Sequence, residues 1–282
     1  MKAANEEQVV DIVRAARAHR RTLEIAGGGT RRGFGRPAPC DDVLDLSGLR
    51  GIVVYEPEEL ILTVRPGTPL DEIEAALSAK GQRLGFEPQD WRALLGSTGT
   101  PTIGGAISCN ANGPAAVRFG RARDHLLGFR AVNGFGEAYK AGGRVVKNVT
   151  GFDLPKLMCG AMGTLGPLTE LTFRVFPKSL SKIFVAMLPP DVLRKVAASP
   201  LEATALLHAD GKAYVRLEGA LDDKTAMLRR LGDFVETDAL PAPILPAPLA
   251  PEPPARATLT RAVKAAFDPL GLFNPGRMFE GV

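Results

Sequence analysis

Three glycine-rich clusters in a fixed order limit what this chain can fold into more than any other feature. They occupy residues 27–30, 96–106 and 160–166. Glycine adopts positive φ and lets bare backbone approach a ligand closely, and successive exposed N–H groups bind anions such as a pyrophosphate. Because the clusters span about half of the chain, they indicate an extended ligand that is held by several loops.

The composition is that of a globular protein with a real core. Of the 282 residues, 45% are hydrophobic and 23% are charged, and this length suffices for two domains or for one domain with an insertion. The net charge of +4 is small, and no basic stripe with interleaved aromatics indicates nucleic-acid binding. Cys40, Cys109 and Cys159 form no C-x-x-C pair, so neither a structural zinc nor an iron–sulfur cluster is expected in this chain.

The sequence also predicts where the protein is located. The N-terminal residues carry acids where a signal peptide needs an apolar run. No stretch reaches the roughly 18 uninterrupted apolar residues that a membrane span needs. We therefore expect a cytoplasmic protein, with any peripheral position at the inner membrane provided by its partners.

Hydrophobic periodicity predicts an α+β chain without a long parallel βαβ repeat. A helix over about residues 5–20 and a helix that begins at Pro69 flank the strands of the first part. Glycine loops between short strands are predicted from 96 to 151, with Asn133-Gly134 as a hairpin turn. The predicted strands cover 23–26, 43–46, 51–55, 61–64, 129–132, 137–140, 168–176, 183–188 and 212–217. Further helices are predicted over 190–198, 222–234 and 259–267, after a proline-dense linker or surface strap at 239–255.

The first cluster follows a predicted strand and precedes Thr30, Arg31 and Arg32. Its N–H groups and the Thr30 hydroxyl are suited to bind a diphosphate whose charge an arginine neutralises; a simple glycine turn is the structural alternative. The cluster is neither a Rossmann G-x-G-x-x-G fingerprint nor a P-loop, because no helix opens on it and no Gly-Lys-Ser/Thr follows.

The second cluster runs into small residues and two asparagines. Adjacent glycines at 104 and 105 indicate close approach of the backbone to something flat or bulky, and Asn110 and Asn112 tolerate unusual backbone conformations. The structural alternative is small-residue packing of strand against strand.

Five motifs in order carry a resemblance to a known family. They are a glycine loop at 27–30, T-x-G-G-A at 102–106, R-D-x-x-L-G at 123–128, K-N-V-x-G-F-D-L at 147–154 and G-T-L-G at 163–166. With them the chain resembles the FAD-binding domain of the vanillyl-alcohol oxidase and p-cresol methylhydroxylase (PCMH) family. Within that family it is similar to the FAD-binding accessory subunits of bacterial glycolate oxidases. The tail F-N-P-G-R at 273–277 matches the C-terminal segment of that family.

The resemblance implies an α+β fold of the PCMH type that clamps an extended FAD. Residues 1–180 would form the FAD-binding domain, with two α+β subdomains divided near 85–95. Residues 181–238 would form a small, reduced α+β cap, 239–257 a proline-rich linker or strap, and 258–282 a C-terminal segment whose helix returns to the FAD domain.

The same resemblance assigns residues to the cofactor. The first glycine loop and T-x-G-G-A would hold the pyrophosphate, and segments 149–154 and 163–166 would line the flavin and ribityl chain. The residues that the resemblance assigns to FAD binding are Gly27, Gly28, Gly29, Thr30, Arg31, Thr102, Gly104, Gly105, Ala106, Asn110, Asn112, Gly113, Arg123, Asp124, Lys147, Val149, Gly151, Phe152, Asp153, Leu154, Gly163, Thr164, Leu165 and Gly166.

Departures from the family pattern narrow the expected chemistry. Family members with a covalent flavin often carry a histidine where this chain has Thr30-Arg31, so non-covalent FAD is expected. Met162 stands where catalytic 2-hydroxy-acid dehydrogenases of the family usually carry an acid. The cap contains one histidine, His208, and a lone imidazole cannot make the divalent metal site of those enzymes. No metal site is therefore expected, and no residue is identified as the general base.

Three functions stay open. In the first, the chain is the FAD-binding subunit of a heteromeric glycolate (2-hydroxy-acid) oxidase or dehydrogenase. A paralogous catalytic FAD subunit would mainly oxidise the hydroxy acid, and electrons would pass to an iron–sulfur subunit. In the second, the chain is a self-sufficient small FAD-dependent alcohol or hydroxy-acid dehydrogenase. In the third, it is a non-catalytic assembly subunit that keeps the fold.

Overall fold

Helices and strands are mixed along the chain, as predicted for an α+β protein. The computed structural model describes residues 1–143, 153–243, 253–280 and 282. The helices of these residues are α1 (Glu6–His19), α2 (Leu70–Ser78), α3 (Arg92–Leu95), α4 (Ile103–Ser108), α5 (Ala116–Phe119), α6 (Ala122–His125), α7 (Leu154–Met158), α8 (Asp191–Ala197), α9 (Leu221–Arg229) and α10 (Pro254–Phe267). The strands are β1 (Leu23–Ala26), β2 (Asp42–Asp45), β3 (Ile52–Glu56), β4 (Ile61–Val64), β5 (Gln82–Arg83), β6 (Leu126–Val132), β7 (Ala138–Gly142), β8 (Leu168–Arg174), β9 (Phe176–Pro177), β10 (Ser181–Ala186), β11 (Ala205–Ala209), β12 (Lys212–Glu218) and β13 (Val235–Thr237).

The N-terminal part is built on β1 and β2, which pair in parallel. Asn5 caps α1 through its side chain, which accepts the N–H of Gln8 at 2.9 Å, and acids follow in the first turn. Val9 and Val13 of α1 pack with Leu23 of β1 and Phe273 of the C-terminal segment in one buried cluster. The first glycine loop therefore follows a strand, β1, that packs against both α1 and the C-terminal segment.

A five-stranded sheet in the order β3-β4-β8-β6-β7 forms the centre of the molecule, and all neighbouring pairs are antiparallel. Leu62 of β4 and Phe173 of β8 belong to the largest buried cluster, together with Ile73 of α2 and Ile103 of α4. Ile103 belongs to the second glycine cluster, so that cluster packs into the same buried core as the central sheet.

The turn between β6 and β7 is one residue longer than the predicted strands at 129–132 and 137–140 leave between them. The hairpin itself is confirmed, but five residues connect its strands. The Asn133 Oδ1 accepts the N–H groups of Phe135 at 2.9 Å and Glu137 at 3.0 Å. This side-chain bonding moves the positive φ to Gly136 (φ 75°) instead of Gly134.

The second glycine cluster is helical at its centre, in contrast to the prediction of loops between strands. Thr102 has an extended backbone and caps α4, and its Oγ1 accepts the N–H of Gly105 at 3.4 Å. Gly104 packs so tightly that an ideal Cβ would lie 2.7 Å from the Cβ of Pro66. Two glycines lower helix propensity, which is why the pattern pointed to loops, but the cap and this packing keep the helix.

A second sheet, in the order β11-β12-β10-β13, occupies residues 181–237 and is antiparallel throughout. Its buried side packs Phe184 and Val215 against Val192 and Val196 of α8 and Leu228 of α9. The sequence pattern predicted β10 and β12, whereas β11 and β13 were missed. Helix α9 also ends at Arg229, earlier than predicted, because Val235–Thr237 pairs with β10 as an edge strand.

Helix α10 begins at Pro254, earlier than predicted, with proline in the first turn, where its missing N–H is harmless. Lys264 is buried, and its Nζ donates to the carbonyl oxygens of Thr164 at 2.6 Å and Phe273 at 2.9 Å and to Asp268 Oδ2 at 2.7 Å. The helix is thereby held next to the third glycine cluster. The middle of the proline-dense segment, 244–252, lies outside the described residues.

Among the helices of the described residues, none combines the length and the apolar character that crossing a membrane requires.

Candidate functional site

One cleft is lined by residues from all three glycine clusters and from the C-terminal segment. It contains about 780 Å³ of empty space, part of it open to solvent. Its lining residues are Glu24, Ile25, Ala26, Gly27, Gly28, Gly29, Thr30, Arg31, Arg32, Phe34, Leu46, Pro66, Thr102, Gly104, Gly105, Ser108, Cys109, Met162, Gly163, Gly166, Leu168, Asn274 and Arg277. Segments that are far apart in sequence therefore face a single space.

Several of these glycines are required by contacts inside the protein. An ideal Cβ on Gly28 would lie 1.7 Å from the carbonyl oxygen of Thr100, and one on Gly99 would lie 1.7 Å from that of Gly28. The first and second clusters thus touch backbone to backbone at one edge of the cleft. A Cβ on Gly27 would also lie 2.6 Å from Thr102 Oγ1, so this contact excludes side chains.

No contact inside the protein requires Gly29 or Gly105 to lack a side chain, although the positive φ of Gly29 itself favours glycine. A Cβ on Gly29, which has φ 79°, would meet nothing within 4 Å. A Cβ on Gly105 would come no closer than 3.4 Å to another atom, at Thr102 Oγ1, although glycine inside a helix costs about 0.5–1 kcal/mol relative to alanine. The space in front of these two residues is therefore open to a group that the protein does not supply.

Arg31 brings a buried positive charge to the cleft. Its side chain is 6% exposed, and its Nη2 donates to the carbonyl oxygen of Gln89 at 2.7 Å. Its Nε and Nη1 have no hydrogen-bond partner among the described residues. Burial lowers the pKa of Arg31, and a buried cation with unpaired donors is unfavourable unless an anion pairs with it.

The other charged side chains of the cleft leave a positive excess. Arg277 is 9% exposed, and its Nη2 donates to the carbonyl oxygen of Arg31 at 3.3 Å and to that of Arg32. Arg32 pairs with Glu24, the one acid among the lining residues. Unpaired Arg31 donors, exposed loop N–H groups and apolar side chains such as Phe34 fit FAD, which combines a diphosphate with flat aromatic rings.

Ten of the residues that the sequence assigned to FAD line this cleft. Their assignment to the cofactor remains a prediction. They are Gly27, Gly28, Gly29, Thr30, Arg31, Thr102, Gly104, Gly105, Gly163 and Gly166.

Other predicted residues lie beside the cleft, in its supporting structure. Asn112 connects two segments: its Nδ2 donates to the carbonyl oxygen of Asn110 at 2.6 Å, and its Oδ1 accepts the N–H of Ala122 at 2.5 Å. Asp124 accepts the N–H of Arg121 at 2.9 Å, and Asp153 caps α7. The predicted residues outside the cleft lining are Ala106, Asn110, Asn112, Gly113, Arg123, Asp124, Asp153, Leu154, Thr164 and Leu165. Lys147, Val149, Gly151 and Phe152 lie outside the described residues.

The structure adds cleft residues that sequence reasoning did not assign to the site. Among them are Cys109, Met162, Asn274 and Arg277. The F-N-P-G-R match already pointed to the last two as part of a family segment, but nothing in the sequence placed that segment next to the first glycine loop. Burial raises the pKa of the Cys109 thiol to about 11, against the opposing effect of Arg31.

The two histidines nearest to predicted functional segments have other surroundings. His125 is 1% exposed and lies between Phe86 and Phe176, with ring centroids 5.6 and 5.1 Å away. Burial lowers its pKa. His208 of the second sheet has its Nε2 3.1 Å from the carbonyl oxygen of Leu188. Neither side chain belongs to the cleft lining.

Comparison with known proteins agrees with this geometry. The family model of the FAD binding domain matches residues 1–142. The glycolate oxidase subunit GlcE of Escherichia coli is 35% identical over 231 residues, which are 80% of this chain and 64% of that protein. The D-2-hydroxyglutarate dehydrogenase of Xanthomonas citri is 35% identical over 196 residues, 68% of this chain and 40% of that protein.

Comparison with solved structures supports the fold. An alkyldihydroxyacetonephosphate synthase superposes with a TM-score of 0.65 at 16% identity, covering 82% of this chain and 49% of that one. The chain spans between 40% and 64% of the length of these relatives. The predicted α+β fold of the PCMH type is confirmed, and the chain belongs to the FAD binding domain family, with FAD as its cofactor.

Proposed function

We propose that this chain is the FAD-binding subunit of a heteromeric 2-hydroxy-acid oxidoreductase of the glycolate oxidase kind. In this proposal a paralogous FAD subunit carries out most of the hydroxy-acid oxidation, and an iron–sulfur subunit accepts the electrons. The similarity to a glycolate oxidase subunit and to a D-2-hydroxyglutarate dehydrogenase supports the substrate class. The observation that carries the proposal is the glycine-lined cleft with the unpaired Arg31 donors.

The residues of the cleft have distinct roles in this proposal. Arg31 would bind the diphosphate through Nε and Nη1, and Gly29 and Gly105 would leave room for it. Arg277 would add positive charge while it holds the backbone of the first loop. FAD, when bound, supplies the capacity to accept a hydride equivalent from an alcohol carbon. No covalent bond to the protein is proposed, because Thr30 and Arg31 stand where a histidine would be needed.

The division of labour between subunits rests on what this chain's own side chains offer. Met162 lines the cleft where hydroxy-acid dehydrogenases of the family usually carry an acid. A thioether cannot act as a general base. His208, the one histidine between residues 181 and 257, lies beside a backbone carbonyl oxygen. A partner subunit that provides the base would complete the reaction.

The proposal also includes the organisation of the chain. A FAD-binding domain at 1–180, a reduced cap at 181–238, a linker at 239–257 and a returning C-terminal segment at 258–282 are supported by the separate sheet over 181–237 and by the buried Lys264 of α10. Any association with a membrane would come from the partner subunits.

An absorption spectrum of the isolated chain tests this proposal. We expect a yellow protein with one FAD per chain, released by denaturation, whose absorbance near about 450 nm does not change when glycolate or D-lactate is added alone. Bleaching by either acid would instead favour a self-sufficient dehydrogenase. A purified chain that stays colourless after incubation with FAD would contradict the proposal.

A further inference from the structure

The C-terminal segment runs beside β1 in the manner of a third strand. The N–H of Leu23 donates to the carbonyl oxygen of Leu272 at 2.7 Å, and the N–H of Asn274 donates to that of Leu23 at 3.0 Å. Leu23 and Phe273 form a parallel bridge. In a regular parallel ladder the next N–H of β1, that of Ile25, would bond to a further backbone carbonyl.

At that point a side chain replaces the backbone. Asn274 has φ 42°, so the chain turns away from β1, and its side-chain Oδ1 accepts the N–H of Ile25 at 2.8 Å. The same amide donates through Nδ2 to the carbonyl oxygen of Met162 at 2.6 Å. The residue is 4% exposed. One neutral amide therefore joins the strand before the first glycine loop to the third glycine cluster.

The contact restricts the third cluster closely. An ideal Cβ on Gly163 would lie 2.6 Å from the Asn274 Nδ2, so only glycine fits against the amide. Met162 has φ 49°, and its N–H donates to the carbonyl oxygen of Ser108 in α4 at 2.8 Å. The hydrogen bonds of Met162 and Asn274 thus link three parts of the cleft lining. These parts are β1, α4 and the third glycine cluster.

We propose that Asn274 is a positioning residue for FAD, which sets the spacing between the first glycine loop and the third glycine cluster. This inference rests on the proposed function, because FAD is the ligand whose binding it affects. Asn274 acts through Ile25 and Met162. These two contacts need one group that accepts the N–H of Ile25 and donates to the carbonyl oxygen of Met162. The side-chain amide of asparagine does both, whereas a carboxylate cannot donate.

Asn274→Gly tests the inference in the full chain, because glycine keeps the positive φ without strain and removes only the amide. We expect the dissociation constant of FAD, measured by quenching of flavin fluorescence with apoprotein, to rise about 10- to 100-fold. Asn133→Gly is the matched control: it removes an asparagine that bonds two backbone N–H groups at an exposed turn outside the cleft lining. The control should bind FAD as the unchanged chain does.

Two further measurements separate positioning from a loss of folding. Asn274→Asp keeps the shape and the acceptor for Ile25 but cannot donate to Met162, so it should also weaken FAD binding. This variant tests the inference even if Asn274→Gly fails to fold. Hydrogen exchange of the apoprotein should become faster at Ile25 and at residues 162–166 in the variants, with the second sheet unchanged. Variants that bind FAD within about twofold of the unchanged chain, with unaltered exchange, would overturn the inference. An unchanged chain that binds no FAD would instead overturn the proposed function.

Discussion

Two groups of largely buried arginines in this molecule differ in the groups that pair with them. Where the second sheet meets the central part, the Arg83 terminal nitrogens donate to the Glu218 carboxylate at 2.8 and 2.6 Å. Arg216 donates to Glu87 Oε2 at 2.9 Å. In the cleft, Arg31 is more deeply buried than either but makes no salt bridge within the described residues, and two of its nitrogens are unpaired.

This difference separates arginines whose charge a carboxylate of the protein compensates from Arg31, whose charge we expect a bound ligand to compensate. Arg83 also leaves its Nε unpaired, but a bidentate carboxylate compensates its charge. Among the described residues, Arg31 pairs with a carbonyl oxygen and with the ring of Trp91, whose centroid lies 5.1 Å from its guanidinium carbon. We therefore expect changes at the sheet interface to affect folding, and changes in the cleft to affect FAD binding.

The largest expected effect is on folding, from Glu218→Gln. The Glu218 side chain is 7% exposed, and its loss would leave Arg83 buried without its main counter-charge. Breaking a buried ion pair costs about 3 kcal/mol or more, so the free energy of unfolding in urea should fall by about that amount. FAD affinity of the folded variant should stay within about twofold of the unchanged chain.

Glu236→Gln is the matched control for that change. Glu236 pairs with Lys182 at 3.0 Å, but its side chain is 51% exposed. A surface pair contributes about 0–1 kcal/mol, so this variant should unfold nearly as the unchanged chain does. Equal losses in both variants would show that the buried network is not a distinct structural feature.

The next effect in size is the loss of FAD affinity in Arg31→Met. A hydrogen bond to a charged group contributes about 1.5–3 kcal/mol, so the dissociation constant of FAD should rise about 10- to 150-fold in isothermal titration. The apoprotein should be as stable as the unchanged chain or more stable, because methionine removes an unpaired buried charge. Arg92→Met, at an exposed arginine paired with Asp90, should change neither quantity. An Arg31→Met apoprotein that is less stable than the unchanged chain but binds FAD with unchanged affinity would contradict the comparison.

The two adjacent glycines of α4 test the same distinction between folding and FAD binding, with smaller expected effects. Gly105→Ala should leave the apoprotein as stable or about 0.5–1 kcal/mol more stable, while FAD affinity falls about tenfold because the methyl group enters the open space. Gly104→Ala should lower thermal stability directly, since its Cβ would meet Pro66 at 2.7 Å. The opposite pattern, with Gly105→Ala unfolding the protein, would mean that the space in front of Gly105 serves internal packing.

The smallest expected effect concerns the Cys109 thiol. Burial raises its pKa to about 11 from an ordinary value of 9.0, and Arg31 and Arg277 oppose that shift. Alkylation by iodoacetamide, followed by mass spectrometry, should therefore become faster up to about pH 11, since the thiolate is the reactive form. In Arg31→Met the pKa should rise further and alkylation at pH 9 should slow. A Cys109 that titrates at its ordinary pKa would indicate a fully hydrated cleft.

Sequence reasoning predicted the local features of the cleft well. The strand at 23–26, its glycine loop and Arg31 were recognised because backbone conformation and charge are local properties. Helix α4 was missed because its two glycines oppose helix formation, while the packing against Pro66 that favours it is a tertiary contact. The short edge strand β13 was missed because its pairing with β10 defines it more than its own pattern does.

Asn274 shows the limit most clearly. Its bond to Ile25 joins residues 249 positions apart in the chain, and no periodicity carries information over that distance. The F-N-P-G-R match placed the segment in the family, but its position against β1 follows from the three-dimensional arrangement of Leu23, Leu272 and Asn274.

A crystal structure of the chain with FAD bound tests the central claim most directly. We expect a diphosphate oxygen within about 2.7–3.2 Å of Arg31 Nε or Nη1, with the backbone of Gly29 and Gly105 facing the cofactor. FAD bound elsewhere, with the Arg31 donors still unpaired in the cleft, would contradict the account.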